Sequence, residues 1–192
     1  MELIRAGLIK DMNEEYQGPE GSLHDIETKS FSLEVKSHLH SDITDTPGGL
    51  VVSSESQLQP LKLETGEEKP LYVVYFPMTK VGNLSLMKLT EDLEKLKQSR
   101  QDILAKLSLN GFKEGGFRWK ATYALMREPS VYKVDENFPK ITPDLYDGQW
   151  PEAISSLRYH VCLQNIPSCK FSEFIEAKKN NAEPEFKAFR QP

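Results

Sequence analysis

Cysteine and long apolar runs are both scarce in this chain, and each shortage excludes a class of protein. Only Cys162 and Cys169 occur among the 192 residues, too few for a disulfide framework, and they lack the paired CxxC spacing of a zinc site. No run approaches the roughly 18 to 20 apolar residues that a membrane helix requires. The first residues carry acids where a signal peptide would be apolar. We therefore predict a cytoplasmic protein with no membrane partner.

Common nucleotide-binding and hydrolase motifs are also missing, since nothing matches a P-loop, a GxSxG nucleophile elbow or a dinucleotide fingerprint. The composition is that of a globular domain, with 38% hydrophobic residues, 28% charged residues and a mean hydropathy of −0.53. At 21.9 kDa the chain has room for one core. We expect a single domain over residues 1–175 and a charged tail over residues 176–192.

Charge is distributed unevenly along the chain, whose net charge is −5. Residues 1–60 hold 4 basic and 11 acidic residues, whereas residues 61–192 hold 20 basic and 18 acidic residues. Within the second part, residues 80–133 carry eleven bases against six acids. An acidic segment can hold cations and a basic segment can hold phosphates. The helix face from Lys95 to Lys106 is therefore either a nucleic-acid contact or an ordinary solvated surface.

Apolar spacing predicts an alternation of helices and strands. Two helical stretches stand out, one from Glu2 to about Asn13 and one that begins at Thr90 and ends at Asn110. A capping-box pattern at Ser54 predicts a further helix start. The predicted strands cover residues 31–35, 50–52, 71–76, 117–126, 131–134 and 157–163. The stretch 71–76 is apolar throughout, as in a strand buried on both faces, and is expected to be central.

The strongest chemical signal is an aspartate, Asp25, followed nine positions later by Glu34-Val35-Lys36. Strand alternation puts Glu34 and Lys36 side by side on one face. Two carboxylates and a backbone carbonyl, such as that of Val35, are the hard oxygen ligands that Mg²⁺ prefers. The metal would activate water and neutralise phosphoryl charge, while the lysine orients or deprotonates the attacking water. The pattern indicates a metal centre held by Asp25, Glu34 and Val35.

Three more polar residues belong to this constellation by position. Glu2 stands at the front of the first predicted helix, where its carboxylate can lean over the site. His38 and His40 share the face of Lys36 if the strand continues, and they either add to a metal site or are solvated. The spacing by itself is a weak pattern, since surface strands often alternate acidic and basic side chains.

An ordered string of segments surrounds the constellation. It comprises Tyr16-Gln17-Gly18-Pro19, Gly21, His24-Asp25, Leu33-Glu34-Val35-Lys36, Val52 to Leu58, Leu71-Tyr72, Ser85-Leu86, Gly111-Phe112, Tyr132-Lys133-Val134, Asn137-Phe138-Pro139 and Ile154 to Leu163. In order and spacing the string resembles the PD-(D/E)XK motif protein family of bacterial restriction systems over about residues 1–166. His24 stands where the superfamily's name has proline, and Tyr16 where the family usually has tryptophan.

The resemblance implies a restriction-endonuclease-like α/β fold, a mixed β-sheet core flanked by helices, with additional C-terminal strands. It implies an endonuclease that hydrolyses double-stranded DNA with Mg²⁺, for which Mn²⁺ can substitute. Asp25 and Glu34 would hold the metal, and Lys36 would be the catalytic lysine. Glu2 would match an acidic residue of the helix before the core, and Gln57 a glutamine near the scissile strand.

The resemblance also bears on partners. Family members look like components of restriction or phage-defence operons that encode DNA methyltransferases and ATPases, so other subunits of such a system are expected partners. Cutting both strands usually needs two active sites, which makes a homodimer plausible. Family members usually carry a sizeable further N-terminal region, so by this resemblance the chain is expected to be a fragment, a shortened variant or a mis-started reading frame.

Two alternatives stay open on the sequence. The chain can be a non-catalytic DNA-binding or scaffolding subunit that keeps a nuclease-like fold, for which the net negative charge argues. It can also be a plain α/β protein with an accidental motif. Gln57, likewise, can simply be the third helical residue of the Ser54 capping box.

Overall fold

The computed structural model describes residues 1–17, 22–40, 49–141 and 157–188, which form one mixed α/β domain. The strands are β1 (Ile26–Glu27), β2 (Ser32–His40), β3 (Gly49–Val52), β4 (Leu71–Leu84), β5 (Tyr123–Leu125), β6 (Ser130–Lys133), β7 (Tyr159–Cys162) and β8 (Cys169–Lys170). The helices are α1 (Glu2–Arg5), α2 (Met12–Glu15), a 3₁₀ helix (Glu55–Leu58), α3 (Leu86–Lys95), α4 (Arg100–Leu109), α5 (Phe117–Lys120) and α6 (Phe171–Lys179).

Strand β4 is the centre of the main sheet, as its unbroken apolar start predicts. It pairs in parallel with β2 on one side and antiparallel with β5 and β6 on the other. The order across the sheet is β1-β2-β4-β6-β8, and β3 and β7 form a separate two-stranded antiparallel sheet. The predicted mixed sheet flanked by helices, with further strands toward the C terminus, is confirmed.

The two faces of the main sheet each bury an apolar core. The first, called here the β3 core, contains Leu50, Val52, Leu58, Leu71, Val73, Tyr75, Tyr132, Val134, Phe138, Val161 and Leu163. The second, the α6 core, contains Leu3, Ile9, Phe31, Leu33, Tyr72, Val74, Val131, Cys169 and Phe174. Alternate residues of β4 therefore point into opposite cores, as the pleat of a strand requires.

The two predicted long helices are both wrong, because each is interrupted by a residue with a left-handed backbone. The first ends at Arg5, since Gly7 has φ +72°, and the chain resumes a helix only at Met12. The second is two helices separated by Lys97 at φ +61°. Thr90 lies inside α3, where its hydroxyl donates to the carbonyl of Leu86. The predicted end at Asn110 is confirmed.

The predicted strand over residues 117–126 is mostly wrong. Residues Phe117–Lys120 form the short helix α5, and the strand covers only Tyr123–Leu125. The alternating pattern places Phe117 on the apolar face of a strand, but its side chain is 93% exposed and lies outside the core. Trp119 is buried, as its apolar phase indicates.

The C-terminal segment packs onto the sheet, and the predicted boundary at residue 175 falls inside α6. Phe174 is fully buried with its ring 5.6 Å from that of Phe31 and 5.0 Å from that of Tyr72. The Tyr72 hydroxyl donates to the carboxylate of Glu183 and accepts from the ammonium of Lys178. Burial, and then the contact with Glu183, raise the pKa of the Tyr72 hydroxyl well above its usual range.

Between the sheet and helices α3 and α4 lies an apolar cavity of about 690 Å³. Its walls include Leu33, Val35 and Val74 from the sheet, and Leu93 and Ile103 from the helices. It opens on the α6-core side of β2. No helix in the described ranges is long and apolar enough to cross a lipid bilayer.

Replacement of the buried Phe174 tests whether α6 belongs to the folding unit. Phe174→Ala is expected to lower the free energy of unfolding by about 3–5 kcal/mol, since it removes a buried ring and leaves a cavity. The exposed Phe117 is the matched control, and Phe117→Ala should change stability by less than about 0.5 kcal/mol. Urea unfolding followed by circular dichroism measures both, and an unchanged midpoint for Phe174→Ala would mean that α6 is dispensable.

Candidate active site

Strand β2 positions the glutamate and the lysine of the predicted constellation. Leu33 lies in the α6 core, so its neighbour Glu34 points to the opposite face. Glu34 is in register with Val73 of β4, and Lys36 is in register with Tyr75, which places both on the β3-core side. Their side chains are only 4% and 14% exposed. The predicted shared face is confirmed, and it is more deeply buried than a solvated strand face.

A hydrogen bond fixes Asp25 beside this face. Strand β1 pairs with β2 only through Ile26 and Glu27, so Asp25 stands at the point where the pairing stops. There its Oδ2 accepts from the backbone N–H of Val35 at 2.7 Å. The Asp25 carboxylate thus accepts from a backbone N–H of β2 that would have paired with β1 if β1 were longer. Asp25 is therefore held at the edge of β2, close enough for its charge to act on Glu34.

Lys36 joins the strand to the 3₁₀ helix. Its Nζ lies 2.6 Å from Oε1 of Glu34 and donates to Oε1 of Gln57 at 3.0 Å. The same oxygen of Gln57 accepts from the N–H of Ser53 at 2.9 Å. The next residue, Leu58, is fully buried in the β3 core and anchors the helix over the site. The capping box predicted at Ser54 is not formed, because the Ser54 hydroxyl accepts from the N–H of Ser56 and the Gln57 oxygen accepts from the residue before the N-cap. Gln57 instead links the start of the helix to the lysine.

Burial raises the pKa of both carboxyl groups. Burial, and then the charge of Asp25, raise the pKa of Glu34 to about 7, although the ammonium of Lys36 acts in the opposite direction. Burial also raises the pKa of Asp25, against the hydrogen bond from Val35 and the charge of Lys36. Both shifts disfavour two full negative charges at this place, and a bound cation would oppose the shifts.

The donor set fits a hard divalent cation. The bond from Val35 uses one oxygen of Asp25 and the ion pair uses one oxygen of Glu34, so within the described residues the second oxygen of each remains for a ligand. The Val35 carbonyl points to the same strand edge as its N–H. Three oxygens leave room for water and phosphate oxygens, as Mg²⁺ requires. The described ranges contain no cluster of three or more His, Cys, Asp or Glu side chains suited to a metal.

Glu2 is not among the groups that surround Asp25 and Glu34 in the described part of the chain. Its carboxylate forms an ion pair with Arg5, three residues along the same turn of helix. It also lines the apolar cavity on the α6-core side of β2, whereas Glu34 faces the β3 core. The structure thus gathers four of the five predicted side chains.

A buried ionic cluster next to Asp25 was missed by the sequence analysis. The ring of His24 is almost fully buried, with Nδ1 2.8 Å from the carboxylate of Glu27 and Nε2 3.1 Å from the carbonyl of Gln59. Both partners of the ring are oxygen atoms that accept hydrogen bonds. Glu27 also accepts from Lys69 and Ser32, and these contacts lower its pKa. His24 occupies the position of the proline in the superfamily's name. Through its contact with Gln59 it connects the chain just before Asp25 to the end of the 3₁₀ helix.

The predicted basic helix face is not a continuous surface. Lys106 is buried, and its ammonium donates to the backbone carbonyls of Asn13 and Tyr16. Lys95 pairs with Asp92 on the exposed side of α3. Lys106 thus contributes to the fold rather than to a surface for phosphates.

Comparison with known proteins gives a family-level result. The sequence matches the model of the family described as "Putative PD-(D/E)XK family member, (DUF4420)" over residues 4–164. This range contains Asp25, Glu34, Lys36 and Gln57. No curated protein and no solved structure matches the chain.

Removal of the Glu34 charge tests the electrostatics of the site. A carboxyl whose pKa is raised on folding stabilises the fold fully below its unfolded pKa of 4.5, and this contribution is lost as the pH rises through about 7. In buffer with a chelator, Glu34→Gln should therefore gain stability relative to the natural chain between pH 4.5 and about 7. Urea unfolding at successive pH values gives the difference.

The exposed Glu64 supplies the matched control for this comparison. Glu64→Gln removes the same charge from a solvated position and should leave the difference flat over the same pH range. A flat difference for Glu34→Gln as well would contradict the raised pKa of Glu34.

Proposed function

The chain belongs to the DUF4420 family of PD-(D/E)XK proteins, and from this membership and the site geometry we propose that it is a Mg²⁺-dependent DNA endonuclease. The observation that carries the proposal is the junction of Asp25, Glu34 and Lys36 at the end of the β1–β2 pairing. Two carboxyl groups with raised pKa values beside a lysine are typical of a site that exchanges protons for a metal. The reaction is hydrolysis of a phosphodiester bond by water.

The proposed roles follow from the donor atoms. Asp25, Glu34 and the carbonyl of Val35 would hold the metal, for which Mn²⁺ can substitute. When bound, the metal supplies Lewis-acid stabilisation of phosphoryl charge and lowers the pKa of water. The residues fix where this happens: the Val35 N–H holds the Asp25 carboxylate in place, and the pleat of β2 aims Glu34 at the same point.

Lys36 is the residue that would act on the water. Its ammonium already contacts Glu34 and Gln57, so its position is fixed from two sides before substrate binds. When Glu34 binds a cation, Gln57 still holds the lysine by its carbonyl oxygen. Lys36 can then orient the water and stabilise negative charge on the phosphoryl oxygens. Gln57 is a positioning residue in this proposal.

The family resemblance extends the proposal to the biological system and to the partners of the chain. The chain would act on double-stranded DNA as a component of a restriction or phage-defence system, with a methyltransferase or an ATPase as partner subunits. A homodimer would bring together two sites for the two strands of a duplex.

A non-catalytic DNA-binding or scaffolding subunit is the second candidate. The ion pair between Glu2 and Arg5 favours this candidate. Because Glu2 is engaged there, Asp25 and Glu34 are the two carboxylates of the described site, and a third is missing from it. DNA binding without cleavage under any divalent metal would support this candidate over the endonuclease.

Cleavage of supercoiled plasmid tests the proposal, with purified chain and Mg²⁺ or Mn²⁺. A chelator should abolish cleavage, and Lys36→Ala should lower the rate by at least about 100-fold while thermal stability and metal binding remain. The matched control is Lys29→Ala, which removes an exposed lysine from the turn that precedes β2 and should cleave normally.

Normal cleavage by Lys36→Ala would overturn the assignment of the lysine. Absence of cleavage by the natural chain, with metal bound at the site by calorimetry, would move the conclusion to the second candidate. Cleavage that persists in the chelator would exclude a metal-dependent reaction.

A further inference from the structure

The second half of β2 extends the face of the candidate site beyond Lys36. His38 and His40 follow at alternate positions, so both lie on the same side of the strand as Lys36. Their rings contact each other with centroids 4.6 Å apart. His40 Nε2 forms a hydrogen bond of 3.2 Å with the hydroxyl of Tyr75, which is buried in the β3 core. The hydrogen bond ties His40 to the sheet, and the ring contact joins His38 to it.

Arg127 adds a permanent positive charge to this surface. It follows β5 in the loop that leads to β6, and its charge acts on His40, Tyr75 and Tyr132. It lowers the pKa of His40 together with burial and with His38. Within the described part of the chain, no carboxylate appears among the groups that act on the His40 ring. Among the described residues, Arg127 thus places a positive charge near the end of β2.

The unpaired edge of β2 offers backbone N–H groups next to the two histidines. Beyond Leu33, no described strand pairs with β2 on the side of β1. The N–H of Val35 points to that edge and is taken by Asp25. By strand alternation the N–H groups of Ser37 and Leu39 point to the same edge. Backbone N–H groups at such positions are common partners of phosphate oxygens.

A metal site formed by the two histidines is the alternative that the sequence left open, and the structure argues against it. The described ranges contain no third His, Cys, Asp or Glu that could complete such a site. The nearby guanidinium of Arg127 repels a cation and attracts an anion. The chemistry of the surface thus selects an anionic ligand.

The repeat of β2 is compatible with a nucleic-acid backbone. The Cα atoms of residues two apart on a strand are separated by about 6.6 Å, which is similar to the separation of successive phosphates on one nucleic-acid strand. We propose that Lys36, His38, His40 and Arg127 form a backbone-binding strip that contacts successive phosphates of the DNA strand leaving the scissile position along β2. This inference rests on the proposed function, and it adds the path of the substrate. The strip contacts phosphates, so it contributes affinity without reading sequence.

Duplex DNA binding by fluorescence anisotropy tests the strip, with Ca²⁺ in place of Mg²⁺ to prevent hydrolysis. Arg127→Gln should weaken binding to unrelated duplex sequences equally, and should reduce the slope of log K against log salt by about 0.9. The double variant His38→Ala/His40→Ala should weaken binding about 3- to 10-fold. Circular dichroism confirms that each variant is folded.

The matched control is Lys179→Gln, which removes one positive charge from α6 on the opposite side of the sheet. It should leave affinity and salt slope unchanged. Unchanged binding by both strip variants would overturn the inference, as would an equal loss in Lys179→Gln or the absence of any duplex binding by the natural chain.

The same samples separate this inference from the endonuclease proposal. Binding that depends on Arg127, without cleavage in Mg²⁺ or Mn²⁺, would support the strip and overturn the endonuclease. Cleavage in Mg²⁺, with binding that is indifferent to the strip variants, would overturn the strip alone.

Discussion

The hydrogen bond from the Val35 N–H to the Asp25 carboxylate is the contact on which the candidate site depends. It occurs where β1 ends and leaves an edge donor of β2 unpaired, so the carboxylate both completes the strand edge and is held within electrostatic reach of Glu34. Each acid would be more stable protonated at this depth of burial. The fold thus maintains an unfavourable pair of carboxyl groups at one point, which is the condition for a site that gains free energy when a cation binds.

The fold supports this arrangement from both sides of the sheet. The parallel pairing of β2 with β4 sets the side on which Glu34 and Lys36 lie, because register decides which residues enter each core. The fully buried Leu58 brings the 3₁₀ helix and Gln57 over the lysine. His24 and Glu27 anchor the chain just before Asp25. None of these supporting contacts needs the metal, so the site can be preformed.

Local patterns were enough to predict the strands that carry the site. The period of two over β2 and the apolar start of β4 are strong signals, and both strands form with the predicted faces. The broken helices could not be predicted this way, since Lys97 adopts a left-handed backbone that its sequence does not signal, and a glycine such as Gly7 within an apolar helical pattern does not by itself show that the helix ends. The cluster of His24 and Glu27 could not be predicted from local patterns either. Lys69, which pairs with Glu27, lies far along the chain, and only the fold brings the two residues together.

The most direct test of the account is the anomalous diffraction of Mn²⁺ in crystals of the natural chain. We expect one ion between the carboxylates of Asp25 and Glu34 and the carbonyl of Val35, with ligand distances of about 2.0–2.2 Å, and loss of that ion in Asp25→Asn. Mn²⁺ bound elsewhere on the chain, with these three groups left as they stand, would contradict the central claim that their junction is a metal centre.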